Sequence, residues 1–280
     1  MSLTFRKLLA QYSYKVPQFL VAQAPARPRD QARLLVYDRN FKKTTHDYFI
    51  NLADHLPPRT VLVFNDSKVI PARLSLTKPS GGRVKVLYLA KDHQFIKVMA
   101  DRKLTVGTKL TLGNKLWFKV RRRQAAYYYL QPNFPLARLN NILLKYGTTP
   151  IPPYIKNTSL SERELRTAYQ TVFARRQGSI AAPTAALHFT PRLLNKLRRR
   201  GFKIEFITLH VNLGTFAKLN PAQVRRHKLH SEDYFISAVV ARRLNKYKAT
   251  GFNIMAVGTT TVRTLESAAA GYKEMVAKLI

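Results

Sequence analysis

Beyond Arg73 the chain changes texture, and that change restricts its fold more than any other feature. Short β-like runs follow one another at 84–89, 94–99, 109–112, 115–120 and 126–130, broken by Gly107, Gly113-Asn114 and Pro132-Asn133. Strands this short, with turns this frequent, predict a small antiparallel barrel. On either side the texture is different. Before it, residues 33–37 read as a strand, and 60–64 as a continuous apolar strand buried on both faces. After it, helices are expected at 191–200, 236–247 and 260–270, and strands at 203–211 and 254–257. The first of these helices carries its own punctuation, with Thr190 as cap, Pro191 in the first turn and Gly201 as the stop. Strand–helix alternation argues for parallel pairing. The expected fold is therefore a mixed α/β core with an inserted small antiparallel β-barrel, the core formed by 1–73 and 136–280 and the barrel by 74–135.

The charge balance points to a partner. Lys and Arg number 49 against 14 Asp and Glu, a formal net charge of +35, and residues 102–161 contain no acid. Such an excess attracts polyanions and neutralises phosphates, so nucleic acid is the expected partner. A proteome-wide basic bias would give the same composition. With no cysteine, disulfides, thiolate catalysis and Cys-based zinc sites are excluded. The first 25 residues are too interrupted by polar residues and proline for a secretory signal, and no stretch has the length of a membrane span, so a cytoplasmic protein is expected.

Five runs carry candidate chemistry. Asn65-Asp66 ends the buried strand, where open α/β sheets place ligands; these side chains suit a sugar hydroxyl or a cation, although a self-bonded turn is the favoured reading. Residues 178–189, small throughout and ending in His188-Phe189, allow main-chain N–H groups close to a ligand, or equally a tight helix packing. His210 lies in an apolar strand before the Gly214-Thr215-Phe216 turn, which leaves acid–base and structural roles both open. His227 and His230, followed by Ser231-Glu232, suit a local turn or an anionic substrate better than a metal, because the zincin order is absent. Gly258-Thr259-Thr260, with Arg263, opens a helix and reads as an anion site or an ordinary threonine cap.

Together these runs resemble one family. Tyr14-x-x-Pro17, Ala22-Gln23 and Pro28-Arg29-Asp30-x-x-Arg33-Leu34-Leu35-Val36 occur in the family's order. They are followed by residues 64–74, Pro150-Ile-Pro-Pro-Tyr154-Ile155, Tyr169-Gln170-Thr171-Val172 and the Ala-Pro-Thr-Ala run ending at His188-Phe189. Leu209-His210-Val211 with Gly214-Thr215-Phe216, His227 with His230-Ser231-Glu232, and Val257-Gly258-Thr259-Thr260 with Val262-Arg263 through Ser267 complete the set. The chain resembles the S-adenosylmethionine:tRNA ribosyltransferase-isomerases of queuosine biosynthesis. Its departures are Lys85 where the family has an acid, and Ala186 and Asn212 where it has glycine. The motif resemblance stops after Ser267, so the chain is expected to lack the family's C-terminal part, a segment rich in Asn, His, Leu and Pro.

The resemblance implies an α/β fold with an inserted barrel, and an enzyme that moves and isomerises the ribose of S-adenosylmethionine onto 7-aminomethyl-7-deazaguanine at the tRNA wobble position. It implies tRNA, through its anticodon region, and S-adenosylmethionine as partners. The latter is a co-substrate; no cofactor and no metal is expected, and the protein is expected to be a monomer. Candidate acids and bases are Asp66, His188, His210 and Glu232. Candidate binding residues are Asn65, Arg73, Pro183, Thr184, Phe189, Gly214, Thr215, Phe216, His227, His230, Gly258, Thr259, Thr260 and Arg263. Among these, Arg73 and Arg263 suit anions, and Phe189 or Phe216 suits the sulfonium through cation–π attraction. Two other readings stay open: a non-catalytic RNA-binding paralogue, and an RNA methyltransferase, for which the glycine-rich first turn is missing.

Overall fold

The computed structural model describes residues 3–212, 221–226 and 231–271. Helix α1 (Leu3–Gln11) precedes an antiparallel hairpin of β1 (Arg33–Asp38) and β2 (Lys43–Tyr48). The strand expected at 33–37 is thus present, but on a largely exposed hairpin. β3 (Thr60–Asn65) is buried at all six positions, as its continuous apolar sequence requires. It is flanked in parallel by β12 (Lys203–Leu209) and β14 (Asn253–Ala256), and β13 (Tyr234–Phe235) adds antiparallel to β12, giving the order β13-β12-β3-β14.

The two faces of β3 follow the period-two rule for strands. Leu62 and Phe64 pack with Leu193, Leu194 and Leu197 of α4 (Pro191–Arg199). Val61 and Val63 pack instead with Val240 and Leu244 of α6 (Ala238–Ala249). α7 (Thr259–Ala269) follows β14 and adds Leu265 on that side. Thr190 caps α4 by accepting from Leu193 N at 3.1 Å, and Gly201, at φ +86°, ends the turn beyond it. Asp30 holds that cap in place, accepting the Thr190 hydroxyl at 2.7 Å.

After β3, the short β4 (Ser67–Val69) pairs in parallel with β11 (Arg176–Ser179). The chain then enters a closed six-stranded barrel of order β10-β7-β6-β5-β8-β9. Its strands are β5 (Arg73–Thr77), β6 (Arg83–Asp92), β7 (Phe95–Ala100), β8 (Lys109–Leu112), β9 (Leu116–Gln124) and β10 (Tyr127–Pro132). Alternate residues point inward: Leu74 and Leu76, Val84 and Val86, Ile96 and Val98 are fully buried. Closure leaves no unpaired edge. The mixed α/β fold with an inserted antiparallel barrel expected from the sequence is the fold observed. Lys85, the base in place of an acid, lies on the exposed outer face of β6, where either charge is solvated.

α2 (Leu139–Tyr146) joins the barrel to the core, its Leu139, Ile142 and Leu143 sharing the barrel's buried cluster. α3 (Glu162–Ala168) begins with a reciprocal capping box between Ser161 and Glu164. α5 (Pro221–Arg225) is a single short turn. No helix among the described residues is long and apolar enough to cross a membrane.

Asn65 shows how the sequence locks the sheet beyond its last ladder bond. Its side-chain amide donates to Leu209 O and accepts from Leu209 N, both at 3.0 Å, and it also accepts from Ser67 N. Asn65→Ala leaves those buried groups without partners. It should cost about 2–4 kcal/mol in urea unfolding, since each orphaned group costs ~1–3 kcal/mol. A loss under about 0.5 kcal/mol would contradict this role.

Candidate functional site

The small-residue run and the start of α7 meet in space. Gly258 has φ +89°, a conformation that disfavours other residues, and a Cβ added there would lie 3.4 Å from the Ala185 side chain. Gly258 supplies no side-chain cap to α7, so the first N–H groups of that helix remain directed outward. Pro183, Thr184, Ala185, Gly258, Thr259 and Thr260 border one cavity of about 480 Å³. The Thr260 hydroxyl is buried and makes no hydrogen bond among the described residues.

The opposite wall was missed from sequence. Pro152, Pro153, Tyr154, Tyr169 and Val211 also border the cavity. All but Pro153 and Val211 also border a second cavity of about 280 Å³, whose other polar members include Gln23, Thr158, Thr184 and His188. Burial pushes the Tyr169 phenol up to about 12, despite the opposing hydrogen bond with the Ala182 main chain, so it stays protonated near neutrality. The signal available in the sequence was the motif itself: two prolines make a stiff apolar edge before Tyr154.

His188 is half-buried beside Phe49, their rings 5.2 Å apart. Burial lowers its pKa below the ordinary histidine value, and Arg29 adds to the effect. It is therefore neutral at neutral pH. Of the four candidate acids and bases, it alone borders either of these two cavities.

The other three occupy the sheet ends without facing the cavities. Asp66 is buried, accepting the Thr208 hydroxyl at 2.6 Å and Arg175 Nε at 2.5 Å. Glu232 is buried against Arg263 Nη1 at 2.5 Å and accepts Asn212 N at 3.0 Å. Burial raises the Glu232 pKa, while Arg263 opposes that shift. His210 packs over Gly178, where an added Cβ would meet its ring at 3.0 Å. Burial lowers the His210 pKa, partly offset by Asp233 and Asp66, while its Nδ1 is buried without a hydrogen bond among the described residues.

Several binding candidates are committed to the framework. Phe189 is a core side chain, edge-on to Phe49 and Phe64 at 4.9 and 4.8 Å, so it cannot face a sulfonium. Asn65 is fully buried by the bonds to Leu209. Arg73 Nη2 donates to Ile151 O at 3.3 Å and so holds the proline-rich wall rather than lining the cavity. Arg263 is turned to Glu232. Gly214, Thr215, Phe216, His227 and His230 lie outside the described residues. Among those described, no three metal-ligating side chains come together.

Arg263→Ala would strand Glu232, whose side chain is 3% exposed. The expected loss is about 3–5 kcal/mol at neutral pH, the usual cost of removing one partner of a buried pair. The deficit should shrink as pH falls through the carboxylate range, because protonated Glu232 needs no counter-charge. A pH-independent deficit in thermal unfolding would contradict the pairing.

A cavity at the carboxyl ends of parallel strands, apolar on one wall and bounded by hydroxyls and a helix start on the other, defines a small-molecule-binding α/β protein. The family described as Queuosine biosynthesis protein matches residues 9–279, continuing past Ser267, where the motif resemblance stopped. The chain is 38% identical over 267 residues to the S-adenosylmethionine:tRNA ribosyltransferase-isomerase of Thermotoga maritima, covering 93% of this chain and 77% of that one. It is 42% identical over 270 residues to the enzyme of the same name from Thermus thermophilus, covering 93% and 76%. A crystal structure of the Thermotoga maritima S-adenosylmethionine tRNA ribosyltransferase aligns with 96% of this chain and 77% of its own, at 27% identity and a TM-score of 0.44. The chain belongs to the queuosine biosynthesis protein family.

Proposed function

We propose that this protein transfers and isomerises the ribose of S-adenosylmethionine onto 7-aminomethyl-7-deazaguanine at the wobble position of tRNA. The product is epoxyqueuosine in tRNA, with adenine and methionine released. One observation carries the reading: the Ala-Pro-Thr-Ala run, the Gly-Thr-Thr helix start and the Pro-Pro-Tyr segment, far apart in sequence, border a common cavity. The relatives that match most of the chain bear the corresponding name. The division of labour follows the fold. The core, residues 1–73 and 136–280, holds S-adenosylmethionine and the modified base, while the barrel, 74–135, extends the basic surface.

The larger cavity suits S-adenosylmethionine. Thr259, Thr260 and the start of α7 receive the methionine carboxylate, with Pro183 and Thr184 bordering the same cavity. The second cavity suits the wobble base, brought out of the anticodon stack. The sulfonium acidifies the adjacent ribose methylene, and neutral His188, on the second cavity, removes that proton where the ribose reaches across the edge of Tyr154, Tyr169 and Thr184 that both cavities share. Tyr169, protonated and bordering both cavities, hydrogen-bonds the departing adenine. Asp66, Glu232, His210 and Arg263 position the strand ends that carry these walls. S-adenosylmethionine is consumed as co-substrate, no separate cofactor takes part, and the protein works as a cytoplasmic monomer on the anticodon region of tRNA.

The test is S-adenosylmethionine labelled separately in ribose and methyl, incubated with tRNA carrying the deazaguanine. Ribose label in tRNA without methyl label is expected. Methyl label would instead mark a methyltransferase, and no label from either position a non-catalytic RNA binder.

A further inference from the structure

A third cavity, of about 380 Å³, lies beside the second and shares Pro25 and Ala168 with it. Three of its eight lining residues are arginines, Arg27, Arg29 and Arg163. Its one acid is Glu164, whose carboxylate is engaged by the Ser161 N–H and hydroxyl at 2.8 Å and lies 3.6 Å from Arg27. Arg29 donates to the Gln170 and Thr167 carbonyls at the end of α3, at 2.5 and 2.8 Å, and forms no ion pair among the described residues. Its positive charge reaches the second cavity, where it helps keep His188 neutral. Arg163 is exposed on α3 and likewise forms no ion pair among the described residues.

From these contacts we infer that Arg27, Arg29 and Arg163 form a phosphodiester subsite, which seats the RNA backbone next to the nucleotide held in the second cavity. Guanidinium groups are the side chains best matched to phosphate oxygens, by charge and by paired N–H geometry. Glu164 can neutralise only one of the three charges. A base extruded into the second cavity leaves its flanking phosphates at the mouth, and the mouth on this side is the arginine cavity. Arg29, fixed by main-chain carbonyls, supplies a rigid charge, and the exposed Arg27 and Arg163 border the same cavity.

The inference rests on the proposed RNA substrate, but binding tests it without turnover. Arg27→Ala/Arg163→Ala leaves Arg29 and its bonds to α3 in place. The probe is an anticodon stem-loop RNA, titrated as such and with a neutral methylphosphonate at either phosphate flanking the wobble nucleotide. Wild-type protein should lose about tenfold in affinity on one of the two replacements. The double variant should bind the unmodified loop about tenfold more weakly, with a salt slope shallower by about 1–2. On the same methylphosphonate it should lose clearly less than the wild type does, only the share owed to Arg29. Multiplying losses, or an unchanged affinity and slope in the variant, would overturn the subsite, as would failure of the wild type to bind the loop. Thermal unfolding of the variant at the wild-type temperature excludes misfolding, and an Arg27→Lys/Arg163→Lys variant with partial recovery of affinity provides the conservative control. Absence of ribose transfer in the wild type, with these binding results intact, would refute the proposed reaction and leave the subsite standing.

Discussion

Raising the salt from roughly 50 to 200 mM should weaken tRNA binding by about 10³- to 10⁵-fold, the loss for some six to ten phosphate contacts. The surface has the charge to make them. With 49 basic and 14 acidic residues, most Lys and Arg side chains have no carboxylate available to them. Arg121, Arg122 and Arg123 are exposed at the end of β9, and Arg198, Arg199 and Arg200 at the end of α4. Arg122 pairs with Asp92 at 2.9 Å and Arg200 with Asp54, yet each triplet keeps exposed neighbours. Exposed ion pairs of this kind exchange readily for phosphate, because they contribute little in water. A fluorescence titration against salt reads the slope directly. A flat profile would mean that the basic surface is not the tRNA-binding surface.

His188→Ala should reduce ribose transfer by about 10²-fold or more, the usual contribution of one acid–base group. Binding of tRNA should change little, since this half-buried ring offers no formal charge to phosphate. The sign of the pH dependence follows from its environment. Burial and Arg29 both disfavour the imidazolium, so the neutral, proton-accepting form persists below the ordinary histidine value of about 6.5. The acid limb of kcat/KM should therefore have its midpoint below that value, and disappear in the alanine variant. Loss of Arg29 should move the limb upward.

The barrel was legible because its interior residues alternate with exposed ones and its turns carry glycine, so pattern and fold coincide at Val84, Val86, Ile96 and Val98. β3 was legible for the opposite reason, being apolar at every position from Val61 to Phe64. α4 was marked by its cap, proline and stop. Elements without such a pattern were not seen. β2 reads Lys-Thr-Thr-His-Asp-Tyr and owes its existence to pairing with β1, while β11 reads Arg-Gln-Gly-Ser and pairs with β4 through main-chain bonds.

The candidate site divided along similar lines. Small residues and helix starts are local devices, so residues 183–185 and 258–260 were recognisable as approach surfaces. Carboxylates at strand ends were ambiguous, because their role depends on a partner far away in the chain. Asp66 meets Arg175, and Glu232 meets Arg263, in contacts that close only when the sheet forms. The same holds for Phe189, whose neighbours Phe49 and Phe64 lie more than a hundred residues earlier. Tyr154 and Tyr169 belong to recognisable motifs, but their common wall between two cavities is a property of the fold alone.

Single-turnover transfer of ribose from labelled S-adenosylmethionine to tRNA, compared between His188→Ala and His210→Ala, tests the cavity assignment most directly. His188→Ala should lose at least about 10²-fold in rate at saturating S-adenosylmethionine and tRNA. His210→Ala should retain most of the rate once its lower stability is allowed for, because the ring packs on Gly178 away from both cavities. Wild-type transfer by His188→Ala, with the large loss falling on His210→Ala, would contradict the placement of the reaction in these cavities.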